Sequence, residues 1–406
     1  MKIHEWLVQC THVINQQNAE ADRRDKLLRS LALLLVEKKK RRNKKKRLWV
    51  APIFQKRCEH GFYHALLPTL KLEDLRFHNY FRMSATQYEE LLSIVGPHLE
   101  KQYVVREPIS AAERLTLTLR FLAAGDSMSS MTYQYLIGLT TVSNIIATTY
   151  RIIWDNLCPV VLPPRLLENC PDNAGSNFYN YKNSHSIVLL AICDANYIFR
   201  FVDIGAYGRR SDGGIFRESQ LGQHLEAGQM NIPQPDSFYR GGPLLPYCIV
   251  GDEAFPLKSY LLRPFSGKDN LSAEQCIYNY RLSRARRVIE NCFGILVSQW
   301  RIYRKSIISS VETTMKIVQA TICLHNWLRK SNIEQTNNIL PGMLDRETTE
   351  DDYIRGSWRT VMEDGCAFMN ISRCSTNTSA RDAMLIRDEF CKYFNDEGSV
   401  AWQNDR

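Results

Sequence analysis

The chain has 406 residues, 44% of them hydrophobic, enough length for two or three domains and enough apolar material to bury real cores. Its formal net charge is +9, yet residues 38–47, KKKRRNKKKR, hold nine cations alone, so the remainder is close to neutral and a uniformly basic domain is excluded. The longest apolar run, LALLLV at 31–36, is too short to cross a bilayer, and no partner membrane is expected.

Taken in chain order, residues 1–37 carry helical periodicity and lead into the basic run. Lys38, Lys39, Lys40, Arg41, Arg42, Lys44, Lys45, Lys46 and Arg47 repel one another and offer no apolar face. They read as a nuclear-localisation or nucleic-acid patch, or as a solvated arm with no address. The expected location is the nucleus, with a cytoplasmic fraction. Twelve cysteines are scattered without a C-x-x-C pair, and the N-terminus has no secretory apolar segment, so reduced thiols in a soluble intracellular protein are expected. Cys58, His60 and His64 cluster in RCEHGFYH, but a fourth zinc ligand is not evident nearby.

Helices are predicted over 84–99, 110–125, 127–138 and 140–157. The second has Ser110 as N-cap, Glu113 three residues on and Gly125 as a stop. The last three, joined by short turns, fit a helix-turn-helix in which Ser143 and Asn144 would face bases, or an ordinary bundle. The final helix carries few cations, which argues against strong DNA binding by itself. After a Pro-rich stretch at 159–175, two β-rich runs in 185–205 flank Asp194-Ala195-Asn196 and predict a hairpin. A turn and helix follow at 209–226, then a strand in LPYCIVGDEAF. A long helix starts at Ser272, with Gln275 completing a capping box and Ala285, Val288, Ile289, Cys292, Phe293 and Leu296 at helical spacing. A further helix covers 312–330. The expected divisions are an N-terminal helix and basic arm at 1–60, a helical domain at 61–158, an α/β domain at 171–330 and a polar tail at 331–406.

Two carboxylates stand out. Asp252 sits where the apolar YCIV run ends in Gly251, a place where turn chemistry alone would account for it. Glu290 lies on the flank of the long helix's apolar stripe, beside Ser283 and Arg286, where an i, i+4 ion pair with Arg286 would also account for it. The alternative is that both lean over one strand end and hold Mg²⁺ through oxygen ligands. Paired cations in such a site can clamp a phosphodiester for hydrolysis.

The strings GSNFYNYKNSHSIVLLAICDANY, GRRSDGGIF, VGDEAFPLK, YNYRLSRARRVIENCFGIL and LHNWLR together resemble the transposase domain of the Harbinger superfamily and the domesticated nucleases derived from it, from about Pro171 to Arg329. The resemblance implies a ribonuclease-H-like fold preceded by a helix-turn-helix-like domain. It implies hydrolysis of DNA phosphodiesters with Mg²⁺ or Mn²⁺, and a separate Myb-like partner that aids DNA recognition. Asp252 would be the second acid of an Asp-Asp-Glu triad and Glu290 the third. Asp212 matches another family motif, with helix capping or loop shaping as its plainer role, and Arg284 and Arg287 could contact phosphate. The family's first acid stands on a strand just before the segment corresponding to CPDNAGSNFYNYK. Here only VLPPRLLEN precedes it, with no Asp-Gly pair and no apolar strand. The first strand is therefore expected to be lacking, which makes cleavage by this chain doubtful and leaves a non-catalytic DNA- or protein-binding derivative as the alternative function.

Overall fold

The computed structural model describes residues 20, 22–37, 50–101, 108–162, 186–207, 212–230, 232–267, 270–334, 342–347, 353–363, 366–368 and 380–403. The basic run at 38–47 lies outside the described residues. Contacts divide the chain into two units, Met1–Gln55 and Lys56–Arg406. In the first, residues 22–37 are helical, with Leu27, Leu28 and Leu31 exposed.

The second unit opens with single-turn helices and then five longer ones: α1 (Asp74–Phe81), α2 (Ala85–Leu99), α3 (Ala111–Ala124), α4 (Met128–Tyr135) and α5 (Leu139–Val161). Their ends follow local chemistry. Ser84 accepts from the Gln87 N–H at 3.1 Å and Gln87 returns an acceptor to the Ser84 N–H at 3.0 Å, closing a capping box on α2. Ser110 accepts from the Glu113 N–H at 3.2 Å, but the Glu113 side chain does not complete the box. It pairs instead with Arg57, because burial to 1% exposure makes an ionic partner worth more than a cap. Gly125 ends α3 at φ 67°, and a Cβ there would lie 2.6 Å from the Arg301 carbonyl oxygen. Helices α4 and α5 meet at 106° across a three-residue turn. No single described helix is long and apolar enough to cross a membrane.

The second half brings β1 (Ile187–Cys193), β2 (Phe199–Tyr207), α6 (Asp212–Glu218), α7 (Gln220–Glu226), β3 (Asp236–Ser237), β4 (Leu244–Leu245), β5 (Ile249–Val250), β6 (Leu261–Leu262), α8 (Ala273–Gln299) and α9 (Val311–Glu334). The predicted hairpin forms. Asp194 Oδ1 accepts from the N–H groups of Asn196 at 2.9 Å and Ile198 at 3.1 Å, an Asx turn that joins antiparallel β1 and β2. The capping box at Ser272 and Gln275 also forms and starts α8.

Three expectations are corrected. The helical part and the α/β part are not separate: Leu119, Ile146 and Ile153 share one core with Phe199, Leu296, Trp300 and Leu324, since α5 and α9 pack directly. The stretch 331–406 is not simply a polar tail. Its described residues include β7 (Arg346–Glu347) and β8 (Tyr353–Ile354), and two helices, α10 (Trp358–Glu363) and α11 (Arg381–Asn395), both packed on α8. Phe390 and Cys391 of α11 are buried with Leu245, Leu262, Tyr278 and Leu282. Finally, the LPYCIV strand shrinks to Ile249–Val250, paired in parallel with Leu261–Leu262. Among the described residues each sheet has two strands, so β1 and β5 do not join a common sheet. The architecture is helix-rich, mixed α and β.

Candidate active site

Asp252 follows β5 and Gly251. Its Oδ1 accepts from the Ala254 N–H at 2.9 Å and its carbonyl from the Phe255 N–H at 3.2 Å, so the plain turn role is real. Its carboxylate also faces a large cavity, about 1250 Å³, that Asp212 and Glu290 line as well. The two aspartates interact. Burial, reinforced by the Asp252 charge, pushes the Asp212 carboxyl up to about 6. Asp212, the first residue of α6, therefore lies close enough to Asp252 to feel its charge.

Glu290 reaches the same cavity from α8 but is held by arginines. Its Oε1 accepts from Arg286 Nη2 at 3.0 Å, the i, i+4 pair the sequence allowed, and its Oε2 from Arg359 Nη2 at 3.1 Å. Arg359 is held in turn by the buried Asp345, with Nη2 to Oδ2 at 2.6 Å and Nε to Oδ1 at 3.0 Å. Both oxygens of Glu290 are therefore engaged by cations. Among the described residues no group of three His, Cys, Asp or Glu side chains is arranged to hold a metal ion. Asp212 and Asp252, which line one cavity, are carboxylates of the type that would hold a divalent cation, but no third ligand joins them among the described residues. They do not fit a two-ion clamp that includes Glu290, because two guanidinium groups take the place of the metal. Cys58 is exposed, and His64 approaches Glu113 at 3.7 Å rather than a thiol.

The arginines proposed for phosphate have other neighbours. The Arg284 guanidinium lies 3.4 Å from the Trp402 ring centroid, a cation–π contact. Arg281, one turn before, donates to the Gly398 carbonyl at 3.1 Å and to Gln403 Oε1 at 3.0 Å. Arg287 is half-buried on α8.

Sequence reasoning missed two groups. The first is the docking of α10 on the ENCFG stretch. Asn291 Oδ1 accepts from Trp358 Nε1 at 2.9 Å, and a Cβ at Gly294 would sit 2.5 Å from the Trp358 ring. Trp358-Arg359 in an otherwise polar segment was the available signal. The second is the LHNWLR stretch on α9. Asn326 Oδ1 accepts from the Phe199 N–H at 2.9 Å while Nδ2 donates to the Phe199 carbonyl at 2.8 Å and to the Val161 carbonyl at 3.3 Å. His325 donates from Nε2 to the Tyr197 carbonyl at 2.8 Å, and Arg329 donates to the Asn196 carbonyl at 3.2 Å. The stretch therefore clamps the β1–β2 turn, and total burial brings the His325 ring down to about 4. Its polar residues are structural.

Comparison with known proteins bears on the family resemblance. Residues 166–326 match the DDE superfamily endonuclease family. The Arabidopsis thaliana protein named antagonist of like heterochromatin protein 1 is 23% identical over 275 residues, covering 57% of this chain and 67% of that protein. A second A. thaliana protein, ALP1-like, is 26% identical over 226 residues, 48% of this chain and 54% of that protein. No solved structure matches. On these matches, residues 166–326 are similar in sequence to DDE superfamily endonucleases, which supports the resemblance to Harbinger-transposase-derived proteins.

Proposed function

We propose that this chain descends from a metal-dependent DNA nuclease and, in its present form, binds DNA and one divalent cation while cleaving phosphodiesters weakly or not at all. The observation that carries this is Glu290, whose two oxygens are taken by Arg286 and Arg359. A carboxylate neutralised in this way is a poor metal ligand, and the acid expected before residue 171 has no counterpart in the sequence. The ribonuclease-H-like reading is supported by the β1–β2 hairpin, the parallel β5–β6 pair with Asp252 at its end, and the long α8 presenting Glu290 to the same cavity. Mg²⁺ or Mn²⁺ bound there would supply charge neutralisation for a phosphate; the protein's own part is to hold Asp212 and Asp252 together.

DNA engagement by the helical part is supported by the 106° crossing of α4 and α5, within the range of helix-turn-helix pairs. Asn144 is exposed near the start of α5 and Ser143 is half-buried. Arg151 is the one basic residue of α5, so phosphate neutralisation there is slight and a separate DNA-binding protein, of the Myb-like kind the resemblance implies, fits as a partner. Calorimetric titration with Mn²⁺ tests the metal reading. One weak site per chain is expected, lost in Asp252→Asn and weakened in Asp212→Asn. Unchanged binding in both variants would remove these residues from the site.

A further inference from the structure

We infer that Arg82, Arg120, Arg301 and Arg304 form a binding face for closely spaced phosphate groups, the chemistry shared by a nucleic-acid backbone and a free polyphosphate. The four are distant in sequence and are brought together where three elements end. Arg82 caps the end of α1, and its carbonyl accepts from Gln299 Nε2 at 3.1 Å, which ties that end to the last residue of α8. A 3-10 turn over Arg301–Arg304 follows. Its three-residue period sets Trp300 and Tyr303 on one ridge, both buried, and Arg301 and Arg304 on the next, exposed at Arg301 and half-buried at Arg304. The close approach of Gly125 to the Arg301 carbonyl seats this turn on the end of α3. Arg120, earlier on α3, places its guanidinium 3.9 Å from the ring centroid of Tyr80, two residues before Arg82.

These charges converge without an acid to balance them. Among the described residues no carboxylate is ion-paired with any of the four. Asp126 is the acid whose charge reaches this region, where it acts on Tyr80. Arg120 Nη1 donates to the Tyr80 carbonyl at 3.3 Å, but the Nε atoms of Arg82, Arg120 and Arg304 are buried without a hydrogen-bond partner. Burial first, and then the charges of Arg301, Arg304 and Arg120, bring Arg82 down to about 10, so it stays cationic at neutral pH and is repelled by its neighbours. Its backbone is held at φ 64° and ψ 23°, the left-handed region where glycine is the easy occupant. Strain and like-charge repulsion that coincide at one residue are features of a ligand site. Guanidinium forks match pairs of phosphate oxygens, and several cations side by side suit several phosphates. The inference deepens the DNA-binding half of the proposed function and rests on it for the choice of DNA as a source. It moves the contact from α5, with Arg151 as its one basic residue, to the face where α1, α3 and the 3-10 turn meet.

The test titrates the full chain with a labelled DNA duplex of arbitrary sequence and, separately, with inorganic tripolyphosphate. Duplex binding should weaken as salt rises and should slow amide exchange at 80–84 and 299–305. Arg301→Gln, at an exposed position, and Arg82→Gly should each weaken it about tenfold, the scale of one charged hydrogen bond. Each should also lower the slope of log affinity against log salt by about one, which loss of a merely structural arginine would not do. Arg82→Gly removes the left-handed strain, so its melting temperature should equal or exceed the parent's, and lost binding is then separate from lost folding. Duplex affinity and slope unchanged in both variants would overturn the inference and leave DNA binding to other residues. Binding of tripolyphosphate but not of the duplex, lost in both variants, would uphold the phosphate face and remove the DNA reading. Binding of neither ligand would overturn both.

Discussion

Glu290 sits between Arg286 and Arg359, and Arg359 is fixed by the buried Asp345, so the carboxylate is oriented away from any role that needs a free negative charge. Asp212 behaves oppositely: its carboxyl is raised to about 6 by burial and by Asp252. An acid whose folded pKa exceeds its unfolded value favours folding at low pH, and that contribution disappears as pH rises through about 4 to 6. Asp212→Asn should therefore gain thermal stability over the parent at pH 8 and lose that advantage at pH 4, and Mn²⁺ should narrow the gap at pH 8. A pH-independent difference would contradict a raised Asp212 carboxyl. Asn326 offers a sharper stability test, because its side-chain amide satisfies both polar groups of buried Phe199. Asn326→Ala should cost about 2–4 kcal/mol by denaturant titration, since two buried backbone groups lose their partners. A cost under about 0.5 kcal/mol would mean that water or a shifted backbone replaces the amide.

Among the elements, α8 was the most legible in sequence: its capping box, its apolar stripe and the position of Glu290 on its flank are all in the chain's own spacing. The hairpin was legible too, because Asp194 and Asn196 make a local turn whose bonds span four residues. What the chain hid was non-local. α10 reads as polar because Trp358 is its single large buried apolar residue, and its anchor is a hydrogen bond and an indole-on-glycine contact 64 to 67 positions away in sequence. Trp358→Ala should destabilise the protein by about 3–5 kcal/mol, the usual cost of removing a buried aromatic. It should also release Arg359 from Glu290, visible as faster exchange in 353–363. Loss of stability without faster exchange there would show that α10 is held by other contacts.

At the scale of the whole molecule, the helical part and the α/β part share a core that runs from Leu119 and Ile153 to Trp300 and Leu324. Composition shifts at 159–175 suggested a boundary there, but α5 is apolar enough on its packing face to bury itself against α9, so the two parts cannot be cut apart without exposing that face. The acid constellation was legible only as residue types in order; whether Asp212, Asp252 and Glu290 meet depends on non-local strand pairing, and among the described residues each sheet has only two strands. The most direct test is nicking of supercoiled plasmid by the purified 406-residue chain in Mg²⁺ or Mn²⁺, beside Asp252→Ala and Glu290→Ala. With Glu290 held by arginines and the first acid lacking, all three should leave the plasmid supercoiled. Robust metal-dependent nicking by the unmodified chain would contradict the account, and nicking that also survives both substitutions would remove the active site from Asp252 and Glu290 altogether.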